Sequence, residues 1–238
     1  MSNKLKILIA LVSLTMFNCQ NSIEEKGFAV KENFFMSEEQ LNEAILQTPK
    51  FLSPANYVNW VKDPKNGLQK EKQIKDLIFS LLYQPAEYVI CQDRKKESIS
   101  SEELKKELDA HSELEYYNLK IGAKDYNGEL LKYDLESGHD YKERVEYYAF
   151  KFEKDIKMVV GIDTVPCSIF HFERTFDVAP YSSFLLGFKI PLKNKGKDRT
   201  IVIDDKIFNK GTVKFLFSEK RISTLPKLEV EEITNFQN

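Results

Sequence analysis

The stretch CSIFHFERTF, residues 167–176, alternates apolar and polar side chains for most of its length. A period of two is typical of a β-strand with one face in the core. Extended backbone puts one set of alternate residues on the predicted core face: Phe170, Phe172, Arg174 and Phe176. The other set lies on the opposite face: Cys167, Ile169, His171 and Glu173. We therefore predict a strand here, with its aromatic side buried.

The non-aromatic face of this strand carries three side chains that can bind a metal ion. Cys167, His171 and Glu173 supply sulfur, nitrogen and oxygen, a ligand set that suits zinc. Along a strand, however, Cys167 and His171 would be about 13 Å apart at Cα, too far to share one ion unless the chain bends. The alternative is a partly buried His171 hydrogen-bonded to a neighbour, with Arg174 paired to Glu173 or to a carboxylate elsewhere.

Further strands are predicted on both sides of this stretch. Alternation or short apolar runs occur at 77–83, 117–121, 130–135, 148–152, 158–162, 181–190, 200–203 and 212–217. The first of these is predicted to continue beyond Pro85 as the extended residues 88–90. Turns are expected at Asn127-Gly128 and at 163–166, and a bulge at Gly187. The last two strands form a predicted hairpin.

Helix-start signals occur mainly before the strands. They are Ser37 with Gln40, Ser53 followed by Pro54, and Ser100 with Glu103. The second helix should end at Asp63, because Pro64 disfavours helical backbone in the residue before it. Together these patterns predict an α+β fold, in which short N-terminal helices pack on a mainly antiparallel β-sheet built from about residues 74–217.

The first nineteen residues, MSNKLKILIALVSLTMFNC, have the order of a secretory signal. Lys4 and Lys6 precede a mostly apolar run at 7–17, and Cys19 follows shortly after it. The run is shorter than the roughly 20 apolar residues that a transmembrane helix needs. The segment TMFNC, residues 15–19, resembles a bacterial lipobox in a loose form, since Met16 and Asn18 stand where leucine and a small residue are usual.

This resemblance implies that Cys19 is lipidated and becomes the first residue of the mature protein, attached to the membrane by acyl chains. Two or three acyl chains make such an attachment stable. Gln20 is not the aspartate associated with inner-membrane retention, so the resemblance implies the outer membrane, at its periplasmic or surface face. We predict a signal peptide at 1–18, a polar tether at 19–35, a single α+β domain at 36–230 and a flexible tail at 231–238.

The charge of the chain bears on its binding partners, and its cysteine content bears on disulfide bonds. The full chain has a net charge of −2, and loss of Lys4 and Lys6 leaves 33 basic and 37 acidic residues. We therefore expect no nucleic-acid partner, because no basic field is present to attract one. With Cys19 lipidated, Cys91 and Cys167 could form one disulfide outside the cytoplasm, or remain as two free thiols.

Recognisable catalytic motifs are missing from the sequence, which has no nucleophile elbow, phosphate-binding loop, dinucleotide fingerprint or Cys-x-x-Cys pair and only three histidines. The stretches NWVKDPKNGL (59–68), DTVPCSIFHFERTF (163–176) and APYSSFLLGF (179–188) are similar to an uncharacterised group of Bacteroidota lipoproteins. We predict a cell-envelope lipoprotein that binds or scaffolds envelope proteins without catalysis or a cofactor. The alternatives are a glycan- or lipid-binding lipoprotein, and an envelope hydrolase whose site includes His171 and Glu173.

Overall fold

The computed structural model describes residues 36–93 and 99–230, and this part of the chain has an α+β fold with mainly antiparallel sheets, as predicted. Its helices are α1 (Glu38–Leu46), α2 (Pro54–Lys62), α3 (Ala86–Asp93), α4 (Ser101–His111), α5 (Gly138–Phe150) and α6 (Glu219–Ile222). Its strands are β1 (Phe51–Leu52), β2 (Gln69–Ile74), β3 (Leu77–Gln84), β4 (Leu114–Ala123), β5 (Ile156–Val160), β6 (Asp163–Pro166), β7 (Ile169–Glu173), β8 (Tyr181–Lys189), β9 (Arg199–Asp204), β10 (Thr212–Phe217) and β11 (Lys227–Leu228).

Two larger sheets and one small one connect these strands. The larger sheets have the orders β2-β3-β4-β8-β7 and β10-β9-β5-β6, and every neighbouring pair in them is antiparallel. The small sheet pairs β1 with β11 in parallel, with Phe51 opposite Lys227 and Leu52 opposite Leu228. A strand near the start of the described chain is thus held beside one near its end.

The hydrophobic core lies between the two larger sheets and under α5. Phe217 of β10 contacts Tyr83 of β3 and Tyr117 of β4, with ring centroids 6.2 and 5.3 Å apart, so the two sheets pack against each other. Tyr148 of α5 contacts Phe184 of β8 at 5.0 Å, so this helix covers the other end of the same sheet face. Aromatic pairs of this kind stabilise a core beyond the effect of the area that they bury.

The capping signals locate the predicted helices well. Ser37 and Ser100 form capping boxes at the starts of α1 and α4, with Gln40 and Glu103 as their partners. The helix α2 begins at Pro54 and ends before Asp63-Pro64, also as predicted. The strands predicted at 77–83, 117–121, 158–162 and 181–190 correspond to β3, β4, β5 and β8, and β9 and β10 form the predicted hairpin.

Residues 148–152, predicted as a strand, instead complete α5 and enter a short 3₁₀ helix at Phe152–Asp155. The prediction was wrong because Ser137 starts a helix: its hydroxyl accepts a hydrogen bond from the Asp140 N–H at 3.3 Å. The alternation of aromatic residues at 148–152 does not reflect a strand. Phe150 is exposed on the helix, and Phe152 is buried just after the helix ends.

Four smaller predictions also need correction. Residues 88–90 belong to α3, because the Pro85 carbonyl accepts the Val89 N–H and the proline fits the start of a helix. The segment 130–135 contains a 3₁₀ turn at Leu130–Lys132 and is not a strand. Residues 163–166 form β6, and the β4–β8 register runs through Gly187 without a bulge.

The predicted signal peptide, Cys19, the tether and the tail at 231–238 lie outside the described residues. Within 36–93 and 99–230, none of the helices has the length and apolar character required to cross a bilayer.

Candidate functional site

The strand β7 lies at one edge of the five-stranded sheet, with its aromatic face in the core as the alternation predicted. Phe172 pairs in register with Phe184 of β8, and the two rings stack with their centroids 5.1 Å apart. Phe170 contacts the same ring at 5.9 Å. The core therefore fixes the position of β7, and its opposite face carries the half-buried Ile169 and His171 and the exposed Glu173.

The three predicted metal ligands are not brought together. Cys167 packs against the core, and its thiol donates a hydrogen bond to the Ile169 carbonyl at 3.0 Å, whereas His171 and Glu173 lie on the opposite face of β7. Alternation starts only at Ile169, because the chain between β6 and β7 is irregular. Among the described residues no group of three His, Cys, Asp or Glu side chains could hold a metal ion, so the predicted Cys167–His171–Glu173 site was wrong.

Cys91 and Cys167 are free thiols, the second of the two alternatives left open by the sequence, and they do not form a disulfide. Burial raises the pKa of Cys91 to about 12 and that of Cys167 to about 11. Both side chains are therefore thiols at neutral pH, a form that is a poor nucleophile and a poor metal ligand.

Immediately after β7, Arg174 joins a buried carboxylate on another part of the chain. Its Nε donates to Glu129 at 3.2 Å, and the side chain of Glu129 is only 2 % exposed. The Tyr141 hydroxyl donates to the same carboxylate at 3.0 Å and also meets the Arg174 guanidinium. Arg174 is thus paired with a carboxylate elsewhere in the chain, which agrees with the alternative to the metal site in the sequence analysis.

The segment that follows, residues 174–178, is hereafter called the 174–178 loop. Phe176 and Asp177 have φ angles of +45° and +64°, in the left-handed region that non-glycine residues seldom occupy. Asp177 accepts hydrogen bonds from the Glu129 N–H at 3.0 Å and from the Lys132 ammonium group. The Lys132 hydrogen bond lowers the pKa of Asp177, so this carboxylate stays charged and keeps the loop in place.

The 174–178 loop presents two apolar side chains outward. Phe176, predicted to lie in the core, is 62 % exposed because β7 ends at Glu173 and the chain turns away from the sheet, and Val178 is 82 % exposed. The Arg174 guanidinium lies 4.2 Å from the centroid of the Phe176 ring and supports one side of it. We call β7 and this loop together the β7 surface.

A concave region lies between α4 and the small parallel sheet. It is a cleft of about 480 Å³ whose apolar wall consists of Phe51, Leu104, Leu108, Leu228 and Val230. Its polar rim consists of Glu87, Ser101, Lys105, Asp109 and Lys227. The size and the mixed lining are within the range of small-molecule sites.

Comparison of the chain with protein-family models, curated proteins and solved structures finds no match. The candidate site therefore depends on its own geometry.

Sequence reasoning selected the region of the β7 surface but not its most important residue. Glu129 lies just before a segment that was predicted to be extended, and nothing in its neighbourhood indicated a buried carboxylate. A turn signal could have located the loop, since Asp177 lies three residues before Pro180 and aspartate is common in turns.

Proposed function

We propose that this protein is a lipid-anchored protein of the bacterial cell envelope, and that it binds a partner protein through the β7 surface without catalysis. The observation that carries the binding proposal is the 174–178 loop. It presents the exposed side chains of Phe176 and Val178, and its backbone is strained at Phe176 and Asp177. The ion pair of Arg174 with the buried Glu129 holds the loop in place.

Strained backbone persists only where the surrounding contacts enforce it, and such residues cluster at binding sites. Because the loop is already ordered by Glu129, Lys132 and Tyr141, binding through Phe176 would cost little additional conformational entropy. A fixed aromatic side chain of this kind is a typical anchor of a protein interface.

The edge position of β7 adds main-chain groups to the same surface. Neighbouring β8 pairs with one side of β7, and an edge strand offers its other side to an added strand. An extended segment of an envelope protein could therefore pair with β7 while an apolar side chain of the partner contacts Phe176. The short length of β7 and the exposed Glu173 would limit self-association at this edge.

The anchor proposal depends on the N-terminal sequence. Lys4, Lys6, the apolar run at 7–17 and Cys19 support export and lipidation, and Gln20 supports the outer membrane. The predicted tether, residues 19–35, would let the domain contact envelope proteins near the bilayer.

A crosslinking pull-down from the native envelope tests the binding proposal. The wild-type protein should capture a reproducible protein partner, and the double variant Phe176→Ala, Val178→Ser should lose most of it. The matched control is Ile162→Ala with Leu192→Ser, because these side chains are 98 % and 80 % exposed and belong to neither β7 nor the 174–178 loop. Equal capture by all three proteins would contradict the proposal.

Mass spectrometry of the native protein tests the anchor separately. The expected N-terminus is an acylated Cys19, and the variant Cys19→Ala should leave the membrane fraction or keep its signal peptide. An unmodified thiol at position 19, or an intact Met1, would refute the envelope assignment, whereas the comparison of loop variants in the pull-down tests the β7 surface.

The cleft beside α4 supports a second candidate function, the binding of a lipid or glycan. Its apolar wall favours a lipid chain, and Lys105 and Lys227 at its rim suit an anionic headgroup. Native mass spectrometry of the purified protein would show a bound lipid that the variant Leu108→Glu lacks. Identical spectra for the two proteins would remove this candidate.

A further inference from the structure

Arg221 on α6 is a buried charge whose hydrogen bonds go to neutral groups. The residue is 2 % exposed; its Nε donates to the Asn66 carbonyl at 2.6 Å and its Nη1 to the Thr48 hydroxyl at 2.7 Å. The guanidinium lies 4.7 Å from the centroid of the Trp60 ring. Within residues 36–93 and 99–230, the ionisable group that influences Arg221 is Tyr57, and no carboxylate forms an ion pair with the guanidinium.

Two buried donors in this neighbourhood lack an acceptor. Within the part of the chain that the structure describes, the Nη2 of Arg221 and the hydroxyl of Tyr57 have no hydrogen-bond partner. Tyr57 is completely buried, and its ring contacts Trp60 at 6.3 Å, the same side chain that the Arg221 guanidinium covers. Tyr57 and Arg221 also influence each other electrostatically, so the two donors lie in one region beside α2.

Both groups keep their protons at neutral pH. Burial, reinforced by the negative charge of Glu87, raises the pKa of Tyr57, so its hydroxyl remains a donor. Burial lowers the pKa of Arg221 to about 10, which still leaves the guanidinium charged. Tyr83 and Cys91 also lie near Tyr57, and burial keeps both of these groups neutral.

A single small acceptor would satisfy these donors, and its charge matters. A buried guanidinium without a counter-charge is strongly unfavourable in a medium of low polarity. A water molecule could accept a hydrogen bond from each donor, but it would leave the positive charge uncompensated. An anion supplies both the lone pairs and the opposite charge, and charge-assisted hydrogen bonds are stronger than neutral ones.

We propose that Arg221 and Tyr57 form a buried binding site for one small monovalent anion, a halide or a short carboxylate such as formate. The anion accepts hydrogen bonds from the Nη2 of Arg221 and from the Tyr57 hydroxyl. Because Arg221 also bonds Thr48 and Asn66, an occupied site joins α6 to the segments that flank α2. The anion thus stabilises the packing of the last helix on the N-terminal helices.

Thermal unfolding of the purified full chain tests the site. Chloride should be exchanged for gluconate, which is too bulky for a buried site, at constant ionic strength. The Tm should rise with chloride by about 3–5 °C for each tenfold increase above Kd, because the anion binds only the folded state. Formate should act in the same way. Equal Tm values in chloride and gluconate would overturn the proposal.

The variant Tyr57→Phe removes one donor and leaves the ring in place. It should fold and should weaken the chloride dependence at least several-fold, whereas the control Tyr88→Phe should keep it. The Tyr88 hydroxyl accepts a hydrogen bond from Gln92 and lies on α3, outside the proposed site. A full chloride response in Tyr57→Phe would count against the site.

Crystals soaked in bromide provide a direct measurement. An anomalous peak beside the Nη2 of Arg221 would confirm the anion. An ordered water molecule there, with no anomalous signal, would show that the two donors are merely hydrated.

Discussion

Asp205 is buried beneath α5 and accepts three hydrogen bonds. The Tyr148 hydroxyl donates to it at 2.6 Å, and the N–H groups of Ile207 and Phe208 donate at 2.8 and 3.3 Å. Burial raises the pKa of Asp205 although these donors oppose the shift. The carboxyl oxygens of Asp205 therefore stabilise the fold as hydrogen-bond acceptors, whereas its negative charge destabilises the folded state.

We predict that Asp205→Ala lowers the free energy of unfolding by about 2–4 kcal/mol, because it leaves buried donors without an acceptor. Asp205→Asn should cost much less, since the amide oxygen still accepts the two N–H groups and the amide nitrogen can donate to Tyr148. Urea unfolding at pH 7 measures both variants. Equal losses in the two variants would contradict this account.

The raised pKa of Asp205 also predicts a pH dependence. Its favourable contribution is complete below the unfolded value of 3.8 and is lost as the pH rises through the higher folded value. The stability of Asp205→Asn relative to wild type should therefore increase as the pH rises above about 4. Comparing the variant with the wild type cancels the contributions of the other carboxylates. A stability difference that stays constant or decreases with pH would contradict the prediction.

Glu129 has a different role, because its charge is compensated. We predict that Glu129→Gln lowers the free energy of unfolding by about 3 kcal/mol, since it leaves Arg174 without its buried partner. The amides of the 174–178 loop should then exchange with deuterium faster than in the wild type, and those of β8 should exchange as before. Unchanged exchange in the loop would show that the hydrogen bond from the Glu129 N–H to Asp177 is sufficient by itself.

Among the helices and strands, sequence predicted best where a local interaction decides the structure. The capping boxes at Ser37 and Ser100 involve residues three apart, so α1 and α4 could be found from neighbouring letters alone. The start of α5 carries the same kind of signal at Ser137 and Asp140, but aromatic alternation at 148–152 was given more weight. Alternation cannot distinguish a strand from a helix end whose aromatic residues happen to differ in exposure.

The serine caps allow a matched test. We predict that Ser100→Ala costs about 1 kcal/mol of stability, because its hydroxyl accepts the Glu103 N–H at 3.3 Å and bonds the Glu103 carboxylate. Ser53→Ala should change stability by only a few tenths, since Ser53 precedes α2 without a side-chain capping bond. Urea unfolding of both variants checks the difference, and similar costs would mean that capping is not the cause.

Gly187 is required by its neighbour on β7 and not by a bulge. A Cβ at this position would lie 2.8 Å from the Cβ of Ile169. We predict that Gly187→Ala lowers the free energy of unfolding by about 1–3 kcal/mol through strain between β7 and β8. In the Ile169→Ala background the same substitution should cost less, because the Cγ1 and Cδ1 atoms of Ile169 are also in contact and are then absent. Fully additive losses of stability in thermal unfolding would exclude this contact as the reason.

For the whole molecule, the class of fold followed from the sequence but the candidate surface did not. Local sequence patterns predict most of the helices and strands. The Glu129–Arg174 pair joins positions that are distant in the sequence and that meet only in the folded structure. The envelope anchor remains a sequence prediction, because Cys19 lies outside the described residues.

A buried ion pair also connects the two larger sheets. Arg199 of β9, 4 % exposed, donates to Glu115 of β4 at 2.7 Å and also bonds Glu219. We predict that Glu115→Leu costs about 3–5 kcal/mol, because it leaves Arg199 with an incomplete set of partners. The double variant Glu115→Leu, Arg199→Met should cost less than the sum of the single changes in urea unfolding. A simple sum would indicate that the pair does not act as a unit.

The parallel pairing of β1 with β11, together with the bonds from Arg221 to Thr48 and Asn66, has a consequence for biosynthesis. The N-terminal helices leave the ribosome first, yet Arg221, which bonds the segments around them, lies 155 and 173 residues beyond its two partners. A nascent chain therefore cannot close this end of the molecule until residues 221–228 have been synthesised. Under the export that we propose, this delay would leave the chain open while it passes through a translocation pore.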